Sequence, residues 1–187
     1  MKKTVILLFL ISLALTACSV NADVRTDSTA VSSSFESAIE EDLAYSDMIN
    51  QQFDILLTHW NGSYPEYYCG CYIENRNFYI LVNCNPEEVK SEICSTMGNP
   101  DVNILKAEYS YNDLMEYQDQ ITDILFEQQK NNEAAKHVTC IGTNEKDNVI
   151  DVEVLNMTDD IKAELQELLS SYKMVRFVNT NDRIEPL

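Results

Sequence analysis

The sequence is poor in basic residues. It has 13 Lys and Arg against 31 Asp and Glu, which gives a formal net charge of −18 at pH 7. Nucleic acids and anionic lipid surfaces are bound mainly by Lys and Arg, which displace counterions from the phosphates. The charge balance therefore excludes nucleic acid as a partner, and it predicts a self-repelling domain that stays in water.

Histidine is also scarce, since the chain has only His59 and His137. Neither lies beside a Gly-x-Ser-x-Gly elbow, and no His, Asp and Ser pattern of a serine hydrolase is present. We expect His137 to be a surface or hydrogen-bonded strand residue, and His59 to pack or to complement a helix dipole. The sequence thus predicts a protein that is not an enzyme, with no catalytic, cofactor-binding or metal-binding residues and no cofactor.

Long apolar runs are absent except near the N-terminus. There, Lys2 and Lys3 precede an apolar stretch from Val5 to Leu15, and Thr16-Ala17-Cys18 follows. This order is typical of a signal peptide, and the stretch is shorter than the roughly 20 apolar residues of a membrane-spanning helix.

The residues Leu15-Thr16-Ala17-Cys18 resemble the lipobox of bacterial lipoproteins, in which the cysteine thiol is joined to diacylglycerol. We predict that residues 1–17 are a lipoprotein signal peptide and that Cys18 is the lipidated N-terminus of the mature chain. Its acyl chains would anchor the protein at the extracytoplasmic face of the bacterial cell membrane. An ordinary secretory signal followed by a chance cysteine is the alternative.

The segments after Cys18 differ in composition. Residues 18–34 are rich in Ser and Thr, poor in large apolar side chains and without periodicity, which predicts a flexible polar tether. Residues 35–62 place apolar side chains on one stripe among acidic residues, so we predict an amphipathic helix that ends at the Gly and Pro residues near Gly62 and Pro65.

The rest of the chain repeats one order of elements. Residues 63–109 contain two β-rich runs joined by a short turn, then a helix with a cap and a proline start, then a third strand. Residues 110–135 are a linking helix, and residues 136–187 repeat the first unit and add a C-terminal tail. We therefore predict an α+β fold of two ββαβ units, each with a three-stranded sheet and one helix, preceded and separated by long amphipathic helices.

The two predicted hairpins can be aligned with each other. The first is Tyr72 to Val82 and the second Ile141 to Val152, with one added residue in the second turn. Whether the two units share one sheet stays open at this stage.

Strand and turn patterns in both units carry a family resemblance. They are Gly70-Cys71-Tyr72-Ile73, Phe78-Tyr79-Ile80-Leu81-Val82-Asn83, Pro86-Glu87-Glu88, Ile141-Gly142-Thr143-Asn144 and Val149-Ile150-Asp151-Val152-Glu153-Val154. Over residues 67–179 the chain resembles the propeptide domain of secreted bacterial chymotrypsin-like serine proteases, the alpha-lytic protease and streptogrisin group. We expect a stand-alone bacterial lipoprotein of this kind, without a protease domain.

The resemblance implies a way of binding. In that family the propeptide guides the folding of its protease and then inhibits it, presenting an edge strand and placing a C-terminal tail in the active-site cleft. For this chain it implies binding of another protein, such as a protease, at the cell surface, with residues 179–187 as the tail. A cysteine-dependent enzyme and a structural cell-envelope component are the alternatives.

Five cysteines remain after Cys18, and the odd number leaves their state open. They are Cys69, Cys71, Cys84, Cys94 and Cys140. Three alternatives are open: small core residues or free thiols, a disulfide, and a metal site. The first is favoured. A cysteine nucleophile would need His59 or His137 as its base. The tyrosine-rich stretch Tyr64, Tyr67, Tyr68, Tyr72 and Tyr79 indicates either half-buried strand packing or a binding face.

Overall fold

The structure is a computed structural model that describes residues 28–181, with side chains from residue 39 onward. The predicted signal peptide, Cys18 and residues 182–187 lie outside the described residues. The chain divides into two units, Met1–Ala38 and Ile39–Leu187. Within residues 28–181, no helix combines the length and the apolar character needed to cross a membrane.

The element order confirms the predicted α+β fold with two ββαβ units. The elements are α1 Ser28–His59, β1 Tyr68–Glu74, β2 Asn77–Val82, α2 Pro86–Met97, β3 Asn103–Lys106, α3 Tyr111–Gln128, α4 Glu133–Lys136, β4 Val138–Asn144, β5 Val149–Leu155, α5 Asp159–Leu168 and β6 Val175–Thr180. The predicted linking helix is thus α3 followed by the short α4, whose first turn is capped by Asn132.

The two units form separate sheets. The first sheet has the order β1-β2-β3 and the second has the order β4-β5-β6. In each sheet the first two strands are antiparallel, and the third is parallel to the second. Parallel neighbours need a crossover connection, which α2 and α5 provide. The question of a shared sheet is therefore answered: each unit has its own.

Helix α1 begins earlier than predicted, at Ser28 instead of Phe35, and it ends at His59. Residues 28–34 of the predicted tether are therefore helical, while residues 18–27 lie outside the described part. Once an amphipathic segment has formed a helix, each further residue adds one hydrogen bond at little cost, so a Ser-rich flank can continue it. Asn61 and Gly62, both with positive φ, follow the helix.

The alignment of the two hairpins also differs from the prediction. Cys71 pairs with Ile80, and Ile141 pairs with Val152, so Cys71 and not Tyr72 corresponds to Ile141. The turn at residues 75–76 has two residues, whereas the turn at residues 145–148 has four, so the second turn is longer by two residues and not by one. Side chains alternate between the faces of a strand, so a shift of one residue exchanges the faces.

Each sheet has its own apolar core. In the first core, α1 and α2 pack on the first sheet through Ile49, Phe53, Leu56, Phe78, Ile80, Val82, Val89, Ile93 and Met97. In the second core, α3, α4 and α5 pack on the second sheet through Leu114, Ile121, Leu125, Ala134, Ala135, Ile150, Val152, Val154 and Leu165. The linking helix α3 thus belongs mainly to the second core, although Tyr111 at its start is buried in the first.

Candidate functional site

The outer side of β6 is a sheet edge with no strand partner among the described residues. This strand pairs in parallel with β5 and with no other strand within residues 28–181. Ile150 N–H donates to the Met174 carbonyl at 2.9 Å, and Asn156 N–H donates to the Thr180 carbonyl at 2.9 Å. Because backbone groups alternate sides along a strand, Val175, Phe177 and Asn179 direct their N–H and C=O groups away from β5.

The other sheet edges differ in length and in the groups that contact them. Strand β3 has only four residues. The β1 edge is occupied where Cys71 N–H donates to Glu145 Oε2 at 2.7 Å. Helix α3 lies beside β4, where the Thr143 hydroxyl donates to Gln118 Oε1 at 2.7 Å. Strand β6 therefore offers an outer edge of six residues with no strand partner among the described residues, which suits it to accept a strand from another chain.

Ion pairs fix β6 to the turn at residues 145–148, which we call the β4–β5 turn. The Arg176 guanidinium donates to Asp151 Oδ1 from Nε at 2.6 Å and to Asp147 Oδ2 from Nη1 at 2.6 Å. Burial acts to raise the pKa of Asp151, but hydrogen bonds from Arg176 and Asn144 lower it below its usual value. The carboxylate thus stays ionised and keeps Arg176 folded back on the sheet.

The β4–β5 turn docks on the first ββαβ unit through Asn148. Its Nδ2 donates to the carbonyl oxygens of Cys69 at 3.2 Å and Tyr109 at 2.9 Å. Its Oδ1 accepts from the N–H groups of Glu108 at 3.1 Å and Tyr109 at 2.8 Å. The residue is buried and has φ of +54°. One side chain of the β4–β5 turn therefore forms hydrogen bonds with four backbone groups of the first ββαβ unit.

Glu145 makes the second contact of this turn. Its Oε2 accepts the Cys71 N–H, and its side chain lies against Gly70, which has φ of +124°. A Cβ on Gly70 would lie 3.0 Å from the Cβ of Glu145, so the approach depends on glycine. Burial raises the pKa of Glu145 even though the hydrogen bonds with Cys71 act to lower it.

Neither histidine forms a catalytic pair with a cysteine. His59 Nε2 lies 2.9 Å from Glu92 Oε1, and His137 Nδ1 lies 2.9 Å from the Leu155 carbonyl oxygen. Burial raises the pKa of the Cys69 and Cys71 thiols to about 12, so neither forms a thiolate near neutral pH. These contacts give no support to the alternative of a cysteine-dependent enzyme.

The five cysteines that follow Cys18 are free thiols in the structure. Cys69 is buried, Cys140 is exposed, and the other three are half-buried. In the part of the chain that the structure describes, no group of three or more His, Cys, Asp or Glu residues is arranged to hold a metal ion.

The predicted tyrosine cluster is divided between two places. Tyr64 stacks on Tyr68 with ring centroids 4.8 Å apart, and both pack in the first core together with Tyr67. Tyr72 stacks on Tyr79 at 4.6 Å, with Lys146 Nζ 5.8 Å from the centre of the Tyr72 ring. Half-buried strand packing therefore accounts for the tyrosine-rich sequence.

The sequence reasoning missed Glu145 and Asn148. Both lie in Asn144-Glu145-Lys146-Asp147-Asn148, and the composition of this segment predicts only a polar turn. An asparagine closing a four-residue turn is a signal for positive φ, because Asn tolerates the left-handed region better than most residues. That signal predicts the backbone of Asn148 but not its four distant partners.

Comparison with known proteins agrees with the resemblance found in the sequence. Residues 21–108, just under half of the chain, match the family model described as the Pro-like N-terminal domain. The match spans the first ββαβ unit and supports the resemblance of this chain to a propeptide domain. A search of the curated proteins found no match to the chain.

Proposed function

We propose that this chain is a membrane-tethered, propeptide-like protein that binds a serine protease at the extracytoplasmic face of the bacterial membrane. The match of residues 21–108 to the Pro-like N-terminal domain supports a role related to a protease. The observation that carries the proposal is the outer edge of β6, which has no strand partner within the described residues. A strand of the protease adds to this edge, and the backbone hydrogen bonds supply the affinity.

Three features of β6 suit it to this role. It has six residues and no proline, so the N–H groups of Phe177 and Asn179 can donate to a partner, whereas the Val175 N–H already donates to the Tyr172 carbonyl at 3.4 Å. Val175 and Phe177 pack against the second core, which holds the strand extended before a partner arrives. A preformed strand pays less conformational entropy on binding than a flexible segment does.

The predicted tail, residues 179–187, begins with the last two residues of β6 and ends with the sequence Asp-Arg-Ile-Glu-Pro-Leu at residues 182–187. In the propeptides that this chain resembles, the C-terminal tail enters the active-site cleft of the protease. We extend the proposal to this segment: when β6 pairs with the protease, the segment is directed toward the cleft. The net charge of −18 favours a protease with a basic surface around that cleft, because opposite charges accelerate association.

Replacing Asn179 by proline is expected to weaken binding of the protease at least about tenfold, which corresponds to about 1.4 kcal/mol. Proline removes the N–H that Asn179 directs away from β5, and it is tolerated on an edge strand where the N–H faces solvent. The test is inhibition of chymotrypsin-like proteases from the culture medium of the producing bacterium, measured with a chromogenic peptide over a range of protein concentrations.

The matched control for this variant is Asn179→Ala. The Asn179 side chain accepts the Met157 N–H at 2.8 Å, and both variants lose this bond, but alanine keeps the outward backbone N–H. We expect the alanine variant to inhibit within about twofold of the wild type, because the bond that it loses lies within the chain and the outward backbone groups are kept. Equal losses in both variants would exclude pairing at this edge. If the unmodified protein neither inhibits nor captures a serine protease, the proposed function is wrong.

Replacing Cys18 by alanine is expected to abolish lipid labelling and to release the protein from the membrane or leave it unprocessed. The thiol is the atom that would carry diacylglycerol, and stable anchoring needs more than one acyl chain. Incorporation of radiolabelled palmitate and membrane fractionation measure the effect. Cys140→Ala is the control, since Cys140 is an exposed thiol in the folded domain and its loss should leave labelling intact. Normal labelling of the Cys18 variant would refute the anchor.

A further inference from the structure

We propose that the contact of Glu145 with Gly70 and Cys71 is a pH-dependent device that acts beside Asn148 to hold the β4–β5 turn, with its Asp147 partner for Arg176 of β6, on the first sheet. Docking of the turn is favoured when the carboxyl is protonated and is weakened when it ionises, because the charged form loses more solvation in the contact than its hydrogen bonds with Cys71 return. The device itself rests only on contacts within this chain. Its consequence for protease binding rests on the proposed function.

The contact shields the carboxyl group of Glu145 from solvent. Gly70 has φ of +124°, and the space above its Cα is filled by the Cβ and Cγ of Glu145. Oε2 then reaches the Cys71 N–H at 2.7 Å, although the two residues are 74 positions apart in sequence. The close approach excludes water from one side of the carboxyl, and this loss of solvation disfavours the charged form.

The groups that face Glu145 offer no positive charge. On β1 they are Tyr68 and Cys71, before β1 there is Tyr64, and at the start of α3 there is Tyr111. Proximity to Glu145 raises the pKa of each of these four groups, in addition to the larger effect of burial, so all four are neutral near pH 7.

The basic residues near the β4–β5 turn are paired with other carboxylates. Lys146 binds Glu74, and Arg176 binds Asp147 and Asp151. In the part of the chain that the structure describes, Glu145 forms no ion pair. Its charge, when present, is therefore stabilised by hydrogen bonds with Cys71 and not by a cation.

The direction of the pH effect follows from the raised pKa of Glu145. In the unfolded chain this carboxyl titrates near its usual value of 4.5, and in the folded chain it titrates higher because burial outweighs the hydrogen bonds. A group with a raised folded pKa stabilises the fold fully below the unfolded value, and the stabilisation is lost as pH rises through the folded value. The docked turn is therefore most stable in acid.

The same turn connects this contact to the proposed binding strand. Asp147, two residues after Glu145, accepts from Arg176 of β6 at 2.6 Å. Loosening the turn therefore releases one of the two carboxylates that hold Arg176, while Asp151 and the pairing with β5 keep β6 in place. On the proposed function, the free protein holds the Arg176 side chain of β6 on the turn more completely at acidic pH than at neutral pH.

Urea unfolding of the purified full-length chain tests the device without any protease. Trp60 is the only tryptophan and lies 5.4 Å from the Tyr68 ring, so its fluorescence reports the first core beside the contact. The urea midpoint is measured at several pH values between 5 and 8 for the wild type, Glu145→Gln and Glu164→Gln. Glu164 is exposed on α5, so Glu164→Gln makes the same chemical change outside the contact.

We expect the difference in urea midpoint between Glu145→Gln and the wild type to grow in favour of the variant as pH rises, because glutamine cannot ionise. Glu164→Gln should follow the wild-type profile. Parallel profiles for Glu145→Gln and the wild type would overturn the proposal. Carboxyl NMR titration of the unmodified protein is a second readout that does not depend on the variant folding: a midpoint for Glu145 no higher than that for Glu164 would also overturn it.

The outcomes separate the device from the proposed function. A pH profile that depends on Glu145, in a protein that binds no protease, would keep the device and remove the function. Protease binding by a protein whose pH profile does not depend on Glu145 would do the reverse.

Discussion

Replacing Asn148 by alanine is expected to lower the free energy of unfolding by about 3 to 5 kcal/mol, since each buried polar group left without a partner costs about 1 to 3 kcal/mol. The side chain serves the carbonyl oxygens of Cys69 and Tyr109 and the N–H groups of Glu108 and Tyr109. Alanine removes all four hydrogen bonds at once, and water can reach only some of the groups in the space left behind. Urea denaturation followed by circular dichroism measures the loss.

Two variants separate the hydrogen bonds of Asn148 from its backbone conformation. Asn156 also has positive φ, +51°, but it is exposed, so Asn156→Ala should cost only about 1 to 2 kcal/mol for the left-handed conformation. Asn148→Gly also removes the four hydrogen bonds, but glycine adopts positive φ without strain. If the hydrogen bonds are what matters, this variant should still be strongly destabilised. If Asn148→Ala and Asn156→Ala lose equal stability, the buried hydrogen bonds contribute little and our account of the turn is wrong.

Replacing Gly70 by alanine is expected to destabilise the protein by about 2 to 4 kcal/mol, because a side chain at a φ of this kind costs about 1 to 3 kcal/mol and overpacking adds about 1 to 3 kcal/mol. Gly70 has φ of +124°, and the new Cβ would lie 3.0 Å from the Cβ of Glu145. The stem of Glu145 cannot move away without breaking its bond to Cys71. Thermal and urea unfolding of the variant give the size of the effect.

Gly142→Ala is the matched control for this substitution. Gly142 also lies in the first strand of a hairpin, and a Cβ there would meet no atom within 4 Å, so we expect a change within about 0.5 kcal/mol. In the double variant Gly70→Ala with Glu145→Ala, the crowding is relieved but the backbone strain remains, so part of the loss should return. Full stability of Gly70→Ala would contradict both sources of the cost.

Local signals were enough to predict several elements to the residue. The sequence predicts β1 over Tyr68–Glu74, β5 over Val149–Leu155 and α2 from Pro86 to about Met97, and the observed bounds agree. For α2 the local signals are the Asn85 cap, Pro86 at the first position and Gly98 in the left-handed conformation after the last turn. The sequence pattern of the first unit returns in the second, and the two sheets have the same strand order.

The hairpin alignment shows where local patterns stop being informative. Each first strand has a register shift, between Tyr68 and Gly70 and between Val138 and Cys140, and the pattern of apolar residues does not mark it. The length of the second turn depends on Asn148, whose φ of +54° is supported by contacts in the other unit. Alternation alone could not choose between registers, since a slip of one residue has to be judged by which face the sheet buries.

One part of the candidate site was predicted from the sequence and another part was not. The strand of β6 was predicted from its sequence, and the use of an edge strand came from the family resemblance. The docking of the β4–β5 turn on the first unit was not predicted. Its hydrogen bonds join Glu145 to Cys71 and Asn148 to Cys69, which are 74 and 79 positions apart in the sequence. Contacts of this range leave no periodic pattern, and their polar residues look like those of any surface turn.

The dependence of the first unit on the β4–β5 turn has a consequence for the order of folding. A chain is synthesised from its N-terminus, and domains generally begin to fold as they emerge. The first sheet and its core can therefore form before residues 145–148 exist, but the Cys69 carbonyl and the Glu108 and Tyr109 N–H groups must then be hydrated. Its assembly is completed only by the second hairpin, so an interrupted or truncated chain would expose an unfinished first unit to proteolysis.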